Sequence, residues 1–253
     1  MKSALMGSLA ALAFLALPAG AQTQADSLAN PLSAFANPGE RNNWHNQIER
    51  TERGHKIGNP DSETELIVLT SYTCEECGVF AREGGGAIDL ALLAPGRMSL
   101  EVRPMILNTV DLTIALLAQC GDAKGFKNRH RLYLLGQDRW LPELRSAPLS
   151  QQNYWARGDR QARLSMATAL DLDDMLAGRG ASRTDINRCL NDEMTARAML
   201  SMSQADREEY GLENLSMIER PHFVLNGELL QGVHDWEGLY AVLVGRFRPE
   251  TER

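Results

Sequence analysis

The chain has 253 residues, with 33 acidic residues against 26 Lys and Arg and a formal net charge of −7. An acidic balance of this kind has no electrostatic footprint for nucleic acid, and the length allows one sizeable domain or two small ones. Four cysteines, Cys74, Cys77, Cys120 and Cys189, make an even count that fits disulfides in an oxidising compartment better than metal sites.

The first residues carry a compartment signal. Lys2 precedes an apolar run over residues 4–17, and Ala19-Gly20-Ala21 offers a small-x-small cleavage site before Gln22. Residues 1–21 therefore read as a secretory signal peptide. The apolar run is too short for a permanent spanning helix, so the expected product is exported, soluble and free of membrane insertion after cleavage. Residues 22–45, rich in Ala, Ser, Asn, Gln and Pro, read as a flexible leader. An amphipathic stretch around residues 44–52 follows.

Glu65–Thr70 is a short β-branched apolar run, the pattern of a buried strand. It runs through Ser71-Tyr72-Thr73 into Cys74-Glu75-Glu76-Cys77. A helix is expected over residues 77–94, kinked at Gly84-Gly85-Gly86 and stopped by Pro95-Gly96, with a second strand over residues 98–103. From residue 110 to about 215 apolar residues recur at three- and four-residue spacing, the mark of helices. The texture then reverts. Residues 221–225 read as a strand, Asn226-Gly227 as a tight hairpin turn, residues 229–231 as the returning strand, and Asp235 as the cap of a terminal helix. The expected fold is α/β, a thioredoxin-like βαβ–ββα core with an inserted all-helical domain. The core comprises residues 46–108 and 216–247, and the insertion residues 109–215.

A CxxC just before a helix puts its first sulfur at the helix amino terminus. Free N–H groups and the positive end of the helix dipole favour a thiolate there. The second cysteine, one turn on, can resolve a mixed disulfide. Cys74 is the expected nucleophile and Cys77 the resolver. Zinc would need two more ligands at usable spacing, and Cys120 and Cys189 stand isolated, so neither metal nor organic cofactor is implied. Glu75 and Glu76 tune the site by opposing the thiolate, or form a solvated helix face. Arg220 either offsets them or points to water. His222 is expected to be structural, and His234 to serve packing.

The segments Gly54-His55-Lys56-Ile57-Gly58-Asn59-Pro60, Ser71-Tyr72-Thr73-Cys74, Gln137-Asp138-Arg139-Trp140, Pro221-His222-Phe223-Val224-Leu225-Asn226-Gly227 and Gly232-Val233-His234-Asp235-Trp236 resemble the DsbA-like family of exported thiol oxidoreductases. The resemblance covers most of residues 54–245. It implies a cis peptide bond at Pro221, with Arg220 and Pro221 presenting backbone to an extended substrate. It also implies a periplasmic location, cysteine-containing exported clients, and a membrane or soluble redox partner. The match is to the variety with two extra cysteines in the helical domain, here Cys120 and Cys189. Their shared helical block points to one structural disulfide.

The chain departs from that pattern in three places. Glu75-Glu76 stands where a Pro-His type of dipeptide is usual, Val68 where an acid is common, and Arg220 where a small or β-branched residue is common. The direction of exchange thus stays open between an oxidase and a reductase or isomerase, with a non-catalytic peptide-binding or chaperone module as the rival class. Two carboxylates near the sulfur should lower the reduction potential by a few tens of millivolts, to between about −120 mV for DsbA and about −270 mV for thioredoxin.

Overall fold

The computed structural model describes residues 43–213 and 220–247. The expected signal peptide, and the leader as far as residue 42, lie outside the described residues. The leader was expected to run to residue 45, yet Trp44–Asn46 already forms a 3-10 turn. Its anchor is the Trp44 ring, which lies so close to Gly96 that a Cβ there would sit 2.6 Å from it.

A six-stranded sheet organises the molecule. Its strands are β1 (Ile48–Arg50), β2 (His55–Gly58), β3 (Glu65–Thr70), β4 (Ser99–Pro104), β5 (His222–Leu225) and β6 (Glu228–Leu229). The spatial order is β1-β2-β4-β3-β5-β6. Among the described residues, only β3 and β4 run parallel, as the two strands of a βαβ unit must. Central β3 is buried on both faces. Leu66 and Val68 join the main core, whereas Ile67 and Leu69 pack with Met105, Leu212 and Val224 on the other side. A strand covered on both faces reads as a continuous apolar run, which is how Glu65–Thr70 appears in sequence.

The helix after β3 is divided. Helix α1 (Glu75–Glu83) ends at Gly84, a short α2 (Gly85–Ile88) follows, and Asp89–Leu93 is a π-helical turn. The three glycines differ in function. A Cβ on Gly84 would press on the Trp236 ring, whereas Gly85 and Gly86 have nothing near. Gly84 thus lets α11 (Trp236–Phe247) approach.

Among the described residues, eight α-helices separate β4 from β5: α3 (Thr109–Ala118), α4 (Phe126–Leu135), α5 (Gln137–Ser146), α6 (Leu149–Trp155), α7 (Arg160–Ala169), α8 (Leu172–Ala177), α9 (Arg183–Leu190) and α10 (Glu193–Glu209). Helix α3 is buried from Val110 to Ala118 and packs against α4, α7, α9 and α10. A helix apolar on all sides belongs at the centre of a bundle. The main core runs without a break from β3 through α3 into α7 and α9. A buried ion cluster ties α10 back to the sheet: Asp206 accepts from Arg103 and from Arg53, each at 2.9 Å, while Arg103 also donates to Glu101 at 2.8 Å.

Cys120, just past α3, is bonded to Cys189 of α9, with their Cα atoms 5.7 Å apart. The bridge closes a 69-residue separation. In the chain-entropy picture, closing that loop stabilises by roughly 4 kcal/mol. Replacing both residues by Ser should lower the unfolding free energy in urea by that order, at constant oxidation state of Cys74 and Cys77.

Burial also holds histidines neutral. His55 stacks on Phe126 with ring centres 3.7 Å apart, and its imidazole is pushed down to about 3 by burial, then by Arg50 and Arg129. His222 falls to about 4, again through burial first, and half-buried His130 to about 3. Each folded value lies below the unfolded one, so this stability is present above about pH 6.5 and is lost as the unfolded chain takes up protons below it. Unfolding free energy should be lower at pH 5 than at pH 7 by roughly 4–6 kcal/mol, with His55, His130 and His222 each contributing about 2 kcal/mol. Asp111 and Asp206, both raised by burial, bind protons earlier in the folded state and offset part of the loss at lower pH.

Candidate active site

The site lies at the carboxyl end of β3, where Ser71-Tyr72-Thr73 leads into α1. Cys74 has extended backbone, φ −84° and ψ 119°, and is the cap residue of α1. Its side chain performs the capping: Sγ accepts from the Cys77 N–H at 3.0 Å. A sulfur that satisfies a first-turn N–H lies on the helix axis, where the dipole is most positive. Cys74 and Cys77 are bonded, with Cα atoms 5.3 Å apart. Cys74 retains 7 % exposure, and Cys77 has 0 %. An attacking thiol can therefore reach only the first sulfur directly.

Arg220-Pro221 is cis and brings the Arg220 carbonyl oxygen to 3.7 Å from Cys74 Sγ. His234 Nδ1 is 3.2 Å from the Pro221 carbonyl oxygen, and the His234 ring meets His222 edge-on. The Arg220 side chain is buried. Burial pushes its guanidinium down, while Asp111 and Glu76 act to hold it charged. The two motif glutamates differ. Glu75 is exposed and paired with exposed Arg145 of α5. Glu76 Oε2 lies 4.0 Å from Cys74 Sγ.

Two helical-block residues to which the sequence reading gave no role hold the loop. Asp111 of α3 has 0 % exposure. It accepts from Ser71 Oγ at 2.9 Å, from the Thr73 N–H at 2.9 Å, from Thr73 Oγ1 at 3.1 Å and from the Leu107 N–H at 3.1 Å. Burial raises this carboxyl, and the four hydrogen bonds act against the rise. Its sequence signal was cap spacing: Asn108 Oδ1 accepts from the Asp111 N–H, and Asn108 Nδ2 donates to Thr73 Oγ1. Gln137, the first residue of α5, donates from Nε2 to both the Tyr72 and Cys74 carbonyls at 2.7 Å. Gly78 faces Gln137 so closely that no side chain would fit. Among the described residues, no group of three or more His, Cys, Asp or Glu could hold a metal ion.

Comparison with known proteins gives this arrangement a family. The model of a family described as thioredoxin matches residues 50–244. The chain belongs to the thioredoxin family. Among solved structures, a protein-disulfide isomerase from Novosphingobium aromaticivorans is similar at 29 % identity, over 78 % of this chain and 99 % of that one, with a TM-score of 0.73. Alpha-DsbA1 of Wolbachia pipientis, at 17 % identity, covers 80 % of this chain and 94 % of its own with a TM-score of 0.55, and shares the fold. A Rickettsia conorii protein named as a protein-disulfide oxidoreductase is 28 % identical over 85 residues, a match spanning 33 % of this chain and 31 % of that protein. This thioredoxin-family chain has the DsbA-like form, with its helical block inserted between β4 and β5.

Asp111→Ala would leave the loop donors without their acceptor. The loss should be roughly 2–4 kcal/mol, since buried donors without partners cost 1–3 kcal/mol each and release of the buried charge returns part of it. Urea denaturation of both proteins measures it.

Proposed function

We propose that the chain is an exported, periplasmic thiol–disulfide oxidoreductase that exchanges disulfides with cysteines of other exported proteins. The observation that carries this reading is the Cys74 sulfur, which caps α1 at 3.0 Å from the Cys77 N–H and lies 3.7 Å from the Arg220 carbonyl oxygen of the cis Arg220-Pro221 segment. Among the described residues, no helix is long and apolar enough to cross a membrane.

In the oxidising direction, a client thiolate attacks Cys74 Sγ. The Cys74–Cys77 bond breaks, and the electron pair leaves on Cys77. A second client thiolate then attacks the client sulfur of the mixed disulfide and releases Cys74 as a thiolate. The client loses two electrons and its thiol protons, the site gains the electrons, and a membrane or soluble redox partner removes them. In the reducing or isomerising direction the same steps run backward, with Cys77 resolving the mixed disulfide. Extended client backbone would lie along the Arg220-Pro221 segment.

The charges decide how strongly the couple oxidises. The helix terminus and Arg220 favour the Cys74 thiolate, and Glu76 opposes it. Both glutamates are exposed, and Glu75 acts less because its carboxylate is paired with Arg145 whereas Glu76 lies 4.0 Å from the sulfur. Opposition to the thiolate stabilises the disulfide and lowers the potential. This favours a couple less oxidising than a strong oxidase, and with it the isomerase or reductase reading.

Cys74→Ser should abolish exchange, whereas Cys77→Ser should accumulate mixed disulfides with clients, visible on non-reducing gels. Trapping by Cys74→Ser alone would reverse the two roles. Glu76→Gln should raise the potential of the couple by roughly 20–30 mV in glutathione titrations, since about 30 mV corresponds to 1.4 kcal/mol, the scale of one screened charge at 4 Å. Glu75→Gln should move it less. A fall in potential, or equal effects from the two variants, would contradict this charge account.

A further inference from the structure

On the helical block, away from the CxxC, a groove of about 1070 Å³ lies between α4 and α5 on one side and α8 and α9 on the other. Cys120, half of the second disulfide, forms part of its wall. Five arginines line it: Arg129, Arg131, Arg139, Arg179 and Arg188. Two aspartates accompany them, Asp138 and Asp185. Asp185 pairs with Arg188 at 2.6 Å, and Arg129 is spent on the carbonyls of Ala118 and Asp122. Arg131, Arg139 and Arg179 have no carboxylate partner among the described residues, and Arg139 and Arg179 are exposed. The floor is apolar, formed by Leu132, Leu135, Met175 and Leu176.

A concentration of positive charge on a chain of net charge −7 is a local field opposite to that of the whole. Concave walls focus such a field, and guanidinium forks match carboxylates in two-point geometry. The floor narrows the occupant further. A phosphate polymer has nothing to place on Leu135 and Met175, and a membrane is too flat to enter a groove. An acidic polypeptide segment with interspersed apolar side chains meets both the rim and the floor.

We propose that this groove docks an acidic, extended segment of a partner polypeptide. The groove is joined to the CxxC through α5. Gly136 and Arg139 lie in the groove, while Gln137 between them holds the Tyr72 and Cys74 carbonyls and Arg145 of the same helix pairs with Glu75. A segment seated there therefore rests on the element that positions the redox loop. The binding step itself does not depend on the redox reading.

The test uses the full chain with both disulfides intact and a short fluorescein-labelled peptide of glutamates with interspersed leucines, followed by anisotropy. Controls are a peptide with serines in place of the leucines, polyphosphate, and phosphatidylglycerol vesicles. Binding of the leucine-bearing peptide should weaken with salt and fall by roughly tenfold or more in Arg131→Glu/Arg139→Glu/Arg179→Glu. The neutral triple variant, with Gln at the same positions, should fall between. These side chains face solvent or the groove, so thermal melts should match the parent. Unchanged affinity in both variants, equal binding of the serine peptide, or binding of polyphosphate or vesicles in place of the peptide would overturn the proposal.

Discussion

The Cys74 sulfur has two functions in one position. As the cap of α1 it accepts the Cys77 N–H at 3.0 Å, and as half of the disulfide it is bonded to the residue whose N–H it accepts. A carboxylate or hydroxyl at this position would cap the helix as well, but only a sulfur can cap it and also exchange disulfides. The three-residue spacing, the strand that ends just before and the helix that begins just after all serve this geometry. Because the cap also places the sulfur on the helix axis, the field that stabilises the helix terminus is the field that favours a thiolate.

The rest of the site decides how the loop stays in place and how much of that field survives. The sheet supplies the strand end and the Arg220-Pro221 backbone, while the helical block supplies the fastening, through Asp111 below the loop and Gln137 beside it. Arg220 carries a cation into a buried position, and Glu76 carries an anion to within 4.0 Å of the sulfur. Arg145 draws Glu75 away from the balance. The insertion is thus part of the active site's frame, and the unbroken core from β3 through α3 expresses the same union in packing.

Much of this was legible in the sequence, and what was missed has identifiable causes. Glu65–Thr70 announced a buried central strand because both its faces are covered, and Asn226-Gly227 marked a hairpin because the turn demands positive φ at both residues, observed as 49° and 85°. The β1–β2 hairpin was not read as strands. Its buried side chains are Ile57 and His55, and the burial of His55 involves stacking against Phe126 in a distant helix. Asp111 was hidden inside an apolar helical run. Its three-residue spacing from the cap residue Asn108 went unread, and the loop its carboxylate reaches lies 38 residues earlier. Gly84 looked like a helix breaker, and its close approach to Trp236 could be known only from the packing.

The central claim is that Cys74, and not Cys77, is the thiolate that the helix terminus stabilises. The most direct measurement is iodoacetamide alkylation of the fully reduced protein across pH, with the label assigned to each cysteine by peptide mass. The account requires Cys74 to take the label first, with a half-point below the roughly 8.5 of a free thiol, and Cys77 to stay protected in the folded state. Preferential labelling of Cys77, or a Cys74 half-point at or above that value, would contradict it.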